Sequence, residues 1–156
     1  MESPNTTQPK QYRVHKILAH SYAMFFVLFL FSVALDLVFK IRIFKSSVTV
    51  PFGLVLLVIG TLLVLWAQKS SRNLNIQNLT KETFSAGPYR YTRHPTHWGL
   101  FFMMLGFGII ANALFVILFT LISLFVAKRV FIEKQENVLD EKYGTPYLEY
   151  KKSVKL

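Results

Sequence analysis

Four runs of almost unbroken apolar residues, at about 21–39, 50–67, 95–111 and 113–126, constrain this 156-residue chain more than any other feature. A helix needs about 20 residues to cross the roughly 30 Å hydrocarbon core of a bilayer, and these runs are of that order. With 53% hydrophobic and 15% aromatic residues, the chain lacks the polar surface of a soluble domain. The expected fold class is therefore an all-α membrane protein of about four transmembrane helices. The spans are placed at about 21–39, 50–67, 95–111 and 113–130. The first run exceeds the h-region of a cleaved signal peptide and further runs follow it, so it is read as a retained span. Residues 1–16 form a polar N-terminal tail and 17–156 a single domain.

The third and fourth runs meet at Asn112 and predict a tight helical hairpin. No breaker follows Ala113 until Gly144, which has the character of a residue just past a helix C-terminus, with Pro146 beyond it. That helix is roughly 46 Å long, about 16 Å more than the hydrocarbon is thick, so its end projects from the membrane. Residues 131–156 are the cytosolic extension. Glu133, Glu136 and Asp140 fall at i, i+3 and i+7 on one stripe of it.

The net charge of +10 would suggest nucleic acid in a soluble protein. Here the basic residues flank apolar runs, so anionic lipid headgroups are the expected partner and nucleic acid is not. The N-terminal tail, the segment before Gly87 and the C-terminal segment carry nearly all the Lys and Arg, and the 111–113 turn carries none. The positive-inside rule then predicts a multi-pass protein with both termini cytoplasmic. Asp36, the one charge in the first run, has Lys40 one turn later and is expected to pair with it. Gly53, Gly60, Gly99, Gly106 and Gly108 are read as close helix contacts. The absence of cysteine excludes disulfides and thiolate chemistry, and the pattern offers no metal site. The Asn5-Thr6-Thr7 and Asn78-Leu79-Thr80 sequons are set aside, because both fall on the side assigned to the cytoplasm.

Chemistry concentrates in Gly87-Pro88-Tyr89-Arg90-Tyr91-Thr92-Arg93-His94-Pro95-Thr96-His97-Trp98-Gly99, immediately before the third run. Pro95 suits the first position of a helix, which puts His94 at the cap and Arg93 beside the positive helix end. Such an end favours a carboxylate or phosphate. Aromatic and basic residues can equally anchor a helix at the headgroups, and that is the reading given to Tyr147 and Tyr150. The hairpin returns the acidic stripe to the side that carries Arg93 and His94. The largely polar stretch 68–85 is read as a loop able to fold over them.

This order of motifs, from residues 87–95 through a hairpin to Glu136, Leu139, Tyr143-Gly144, Tyr147 and Tyr150, resembles the isoprenylcysteine carboxyl methyltransferase family and its phospholipid methyltransferase relatives. The resemblance covers about the last 100 residues. It implies an integral membrane enzyme, active at the cytosolic interface, that transfers methyl from S-adenosylmethionine to a lipid-borne or otherwise apolar acceptor. Arg93 and Glu136 are the implied catalytic residues; Tyr89, His94, Pro95, His97, Gln135 and Glu136 are the implied cofactor-binding set. Gln135 stands where the family has the first of two glutamates, and His97 where it has a tyrosine. Both departures bear on the acceptor, which could be a carboxylate, an amine or a thiol, and a non-catalytic membrane subunit with the same fold stays open. A proton-losing acceptor would need a base, for which His94, His97 and Glu136 are the candidates.

Overall fold

The computed structural model describes residues 10–44, 49–72 and 80–154. Residues 1–9 of the polar tail, the asparagines of both sequons and part of the 68–85 stretch lie outside them. The order of elements is α1 (Lys10–Phe39), α2 (Thr49–Arg72), α3 (Lys81–Phe84), a 3-10 turn (Gly87–Arg90), α4 (Pro95–Ile110), α5 (Leu114–Val126), a π-helical turn (Ala127–Ile132), α6 (Glu133–Tyr143) and α7 (Thr145–Ser153). Among the described residues, three helices are long and apolar enough to cross a membrane: Ala19–Phe39, Thr49–Arg72 and Leu114–Tyr143, with Pro95–Ile110 as a shorter apolar helix. The expected fold of about four membrane-embedded helices holds. Helix α1 begins at Lys10, inside the expected tail, and α2 continues to Arg72, so the start of the expected 68–85 loop is helical.

Helix α4 packs between α2 and α5, and α1 lies against α5 and α6. Without water to expel, helices in a membrane associate through close backbone approach. Gly53 and Gly60 on α2 meet Gly106 and Gly99 on the antiparallel α4. A methyl group on Gly60 would sit 2.6 Å from the Gly99 carbonyl, and one on Gly106 would sit 2.5 Å from that of Gly53. The equal seven-residue spacing in both helices is what lets two such pairs form at once. Gly60→Leu is therefore expected to lower the melting temperature in detergent sharply, because overpacking costs about 1–3 kcal/mol or more. Leu62→Ala, on the outward face of the same helix, is the control and should change little.

Asp36 does not serve Lys40. Its Oδ1 and Oδ2 accept the amides of Phe115 and Val116 at 3.1 and 2.9 Å, at the start of α5. The reason is local: the residue before α5 is Ala113, which has no side-chain acceptor, so the first amides of a buried helix need one from elsewhere. Asn112, at φ 52°, adds a second tie at this end of the bundle. Its Oδ1 accepts the amides of Ile43 and Phe44, both at 2.8 Å, and its Nδ2 donates to the Phe44 carbonyl at 2.7 Å.

At the opposite end the long helix does run on to Tyr143, but through the π turn at 127–132. A π turn holds an extra residue, which rotates every later side chain by about 100° around the axis. Gly144, at φ 61°, then ends α6, and α7 folds back over α3. Tyr147 and Tyr150 are not headgroup anchors: they are 3% and 2% exposed, in a core with Phe84 and Val154. The Phe84 ring lies 5.0 Å from Tyr143, 5.5 Å from Tyr147 and 5.9 Å from Tyr150, and this aromatic stack fixes α7.

Candidate functional site

Pro95 opens α4 and leaves His94 at the helix cap, outside the helical conformation (φ −129°, ψ 56°). Arg93 and His94 are thereby turned toward α6, where the rotation introduced by the π turn has brought Glu136 inward. Glu136 Oε1 lies 2.8 Å from Arg93 Nη1 and accepts a hydrogen bond of 3.0 Å from His94 Nε2. Its Oε2 lies 3.0 Å from Nζ of Lys151 on α7, which also reaches Asp140 Oδ2 at 3.1 Å. One buried carboxylate on α6 thus joins the residues just before α4 to the last turn of α7.

The two ends of the 30-residue helix Leu114–Tyr143 cannot both lie in hydrocarbon, which leaves α6 beyond it. Burial alone would raise the Glu136 pKa, but hydrogen bonds from His94 and Lys151 and the charge of Arg93 outweigh it and bring it down to about 2. The same contacts raise the Lys151 pKa. Because the folded-state value of Glu136 lies below its ordinary 4.5, its contribution to stability is complete above pH 4.5 and is lost as pH falls from there toward 2. The melting-temperature gap between wild type and Glu136→Gln in detergent should accordingly be constant near neutrality and close as pH drops through that window.

Several buried polar atoms at this end have no hydrogen-bond partner among the described residues. They are Nε and Nη1 of Arg93, Nδ1 of His94 and of His97, and Oδ1 of Asp140. Arg93 Nη1 is close to Glu136, but its N–H bonds do not point at the oxygen, so that contact is Coulombic rather than a directed hydrogen bond. His94 must carry its Nε2 proton to donate to a carboxylate, which leaves Nδ1 available. Such atoms can take their hydrogen bonds from ordered water or from a bound ligand.

The other expected site residues fall around this cluster unevenly. His97 is 2% exposed; its Nε2 is 2.9 Å from Ser21 Oγ on α1, and its ring stands edge-on to His94 at 5.9 Å and to Phe25 at 5.9 Å. Pro95 is buried as the first residue of α4. The Tyr89 carbonyl accepts the Tyr150 hydroxyl at 2.7 Å, its ring packs on the Phe84 core, and burial lifts its phenol to about 12. Gln135 is half-buried and its side chain makes no hydrogen bond among the described residues. Of the expected acidic stripe only Glu136 and Asp140 join the cluster, while Glu133 is exposed. Sequence reasoning missed Lys151 and Ser21. Nothing local separates Lys151 from Lys152, although a serine one turn before Phe25 on the same face was a visible signal.

The phospholipid methyltransferase family model matches residues 48–146, from the start of α2 to the first turn of α7. No curated protein and no solved structure matches the chain.

Proposed function

Because the chain belongs to the phospholipid methyltransferase family of integral membrane methyltransferases, we propose that it moves a methyl group from S-adenosylmethionine to a lipid-borne or otherwise apolar acceptor at the cytosolic interface. The observation that carries this reading is the buried cluster of Arg93, His94 and Glu136, in which Glu136 lies 42 residues from His94 and all three fall within the matched segment. The donor set suits the zwitterionic amino-acid end of that cofactor. Arg93 and Lys151 are cations for a carboxylate, Glu136 is an acceptor for an ammonium, and the unpartnered Arg93 and His94 nitrogens supply further contacts.

The cofactor supplies a methyl group already activated on a sulfonium. What remains for the chain is to hold the reactants and keep water away. Glu136 and Arg93 fix orientation, the aromatic core under α7 shields the site, and an apolar acceptor would enter laterally from the membrane. A carboxylate acceptor needs no base. The free Nδ1 of the buried His97 favours a second reading, in which the acceptor is an amine or thiol that must give up a proton. Both readings share one test. Purified protein in detergent should bind S-adenosylmethionine in calorimetry, with displacement by S-adenosylhomocysteine; no heat of binding at millimolar cofactor would leave a non-catalytic membrane subunit.

A further inference from the structure

At the end of the bundle opposite Glu136, a cavity of about 280 Å³ opens between the end of α1 and the α4–α5 hairpin. Its walls include Val33, Leu37, Phe107 and Val116, and Lys40, Arg42 and Asn112 lie along it. The cavity sits level with the last residues of the membrane-spanning part of α1, which ends at Phe39, and of α4, which ends at Ile110. One side is therefore at hydrocarbon depth and the other at headgroup depth.

The charges are unbalanced. Asp36 also lines the cavity, but both its oxygens are taken by the Phe115 and Val116 amides, where the positive end of α5 compensates its charge. Lys40 and Arg42 have no carboxylate partner among the described residues, and both are exposed. Asn112 spends its Oδ1 and one N–H of Nδ2 on Ile43 and Phe44, so it serves chiefly to shape the wall. Two unpaired cations over an apolar recess complement a ligand with a phosphate at one end and a hydrocarbon chain at the other.

We propose that this cavity binds an anionic phospholipid of the adjacent leaflet, its phosphate between Lys40 and Arg42 and an acyl chain along Leu37 and Phe107. The occupant ties α1 to the hairpin from outside, as Asp36 and Asn112 do from within. This site is independent of the methyl-transfer chemistry at the other end.

The test is titration of phosphatidylglycerol into the full chain in detergent, read by native mass spectrometry. Lys40→Gln with Arg42→Gln should weaken the tightest lipid site by roughly 30-fold, about fivefold for each cation removed at a membrane surface. Arg90→Gln with Lys152→Gln removes the same charge at the other end and should leave that site intact. Leu37→Trp keeps both cations but narrows the recess and should also weaken it, which covers the case in which the double variant folds poorly. Equal lipid retention by the two double variants would overturn the proposal. So would inorganic phosphate binding as tightly as the lipid, since the apolar wall would then play no part.

Discussion

Glu136→Gln is expected to weaken S-adenosylmethionine binding by about 10- to 100-fold in calorimetry, the range for losing a hydrogen bond to a charged group. Glutamine keeps the shape of the side chain and one acceptor oxygen, so the fold has the best chance of surviving. What it loses is the charge that faces three basic groups: Arg93 at 2.8 Å, His94 at 3.0 Å and Lys151 at 3.0 Å. Glu136→Ala should go further, because it leaves those groups partly buried around a void, and breaking a buried ion pair from one side costs about 3–5 kcal/mol. Melting temperatures in detergent separate the two effects. A folded Glu136→Gln protein that melts below wild type yet binds cofactor with unchanged affinity would remove Glu136 from the cofactor site and leave it a purely structural tie.

The comparison of Arg93→Lys with Arg90→Lys should give the largest difference in turnover. Arg93 lies one residue before the cap of α4, is mostly buried, and has both an ion pair with Glu136 and an unpartnered Nε. Arg90 is exposed on the 3-10 turn. Lysine keeps a positive charge but not the planar fork that can face Glu136 and a ligand carboxylate together. Arg93→Lys should therefore lower methyl transfer by about tenfold or more, while Arg90→Lys changes little. The assay runs over a panel of prenylated thiols, aminophospholipids and small thiols, with radiolabelled S-adenosylmethionine as methyl donor. Equal activity of the two lysine variants, both well folded, would return Arg93 to headgroup anchoring.

Much of the architecture depends on information that sits within a few residues of sequence. Apolar runs at about 21–39, 50–67 and 95–111 mark membrane helices because hydropathy is local. Pro95 sets the start of α4 through its own ring, and Gly144 ends α6 through its own φ. Gly53, Gly60, Gly99 and Gly106 were legible as helix contacts because seven-residue spacing keeps each pair on one face. Arg93, His94 and Glu136 could be named as candidate site residues from the resemblance that the order of their motifs carries, and the three side chains do meet. The match over residues 48–146 supports the family that those motifs resemble.

Tertiary structure decided who meets whom. The partner of Asp36 is a pair of amides 79 and 80 residues away, and no local pattern distinguishes that from an ion pair with Lys40. His97 finds Ser21 across 76 residues, and Glu136 finds Lys151 rather than its neighbours Lys134 or Arg129. Tyr147 and Tyr150 carry the composition of interfacial anchors, yet the fold of α7 over Phe84 buries them. The physical reason is rotation. Periodicity fixes which residues share a helix face, but the direction in which that face points depends on interhelical packing and on irregularities such as the π turn at 127–132, which turns everything after it by about 100°.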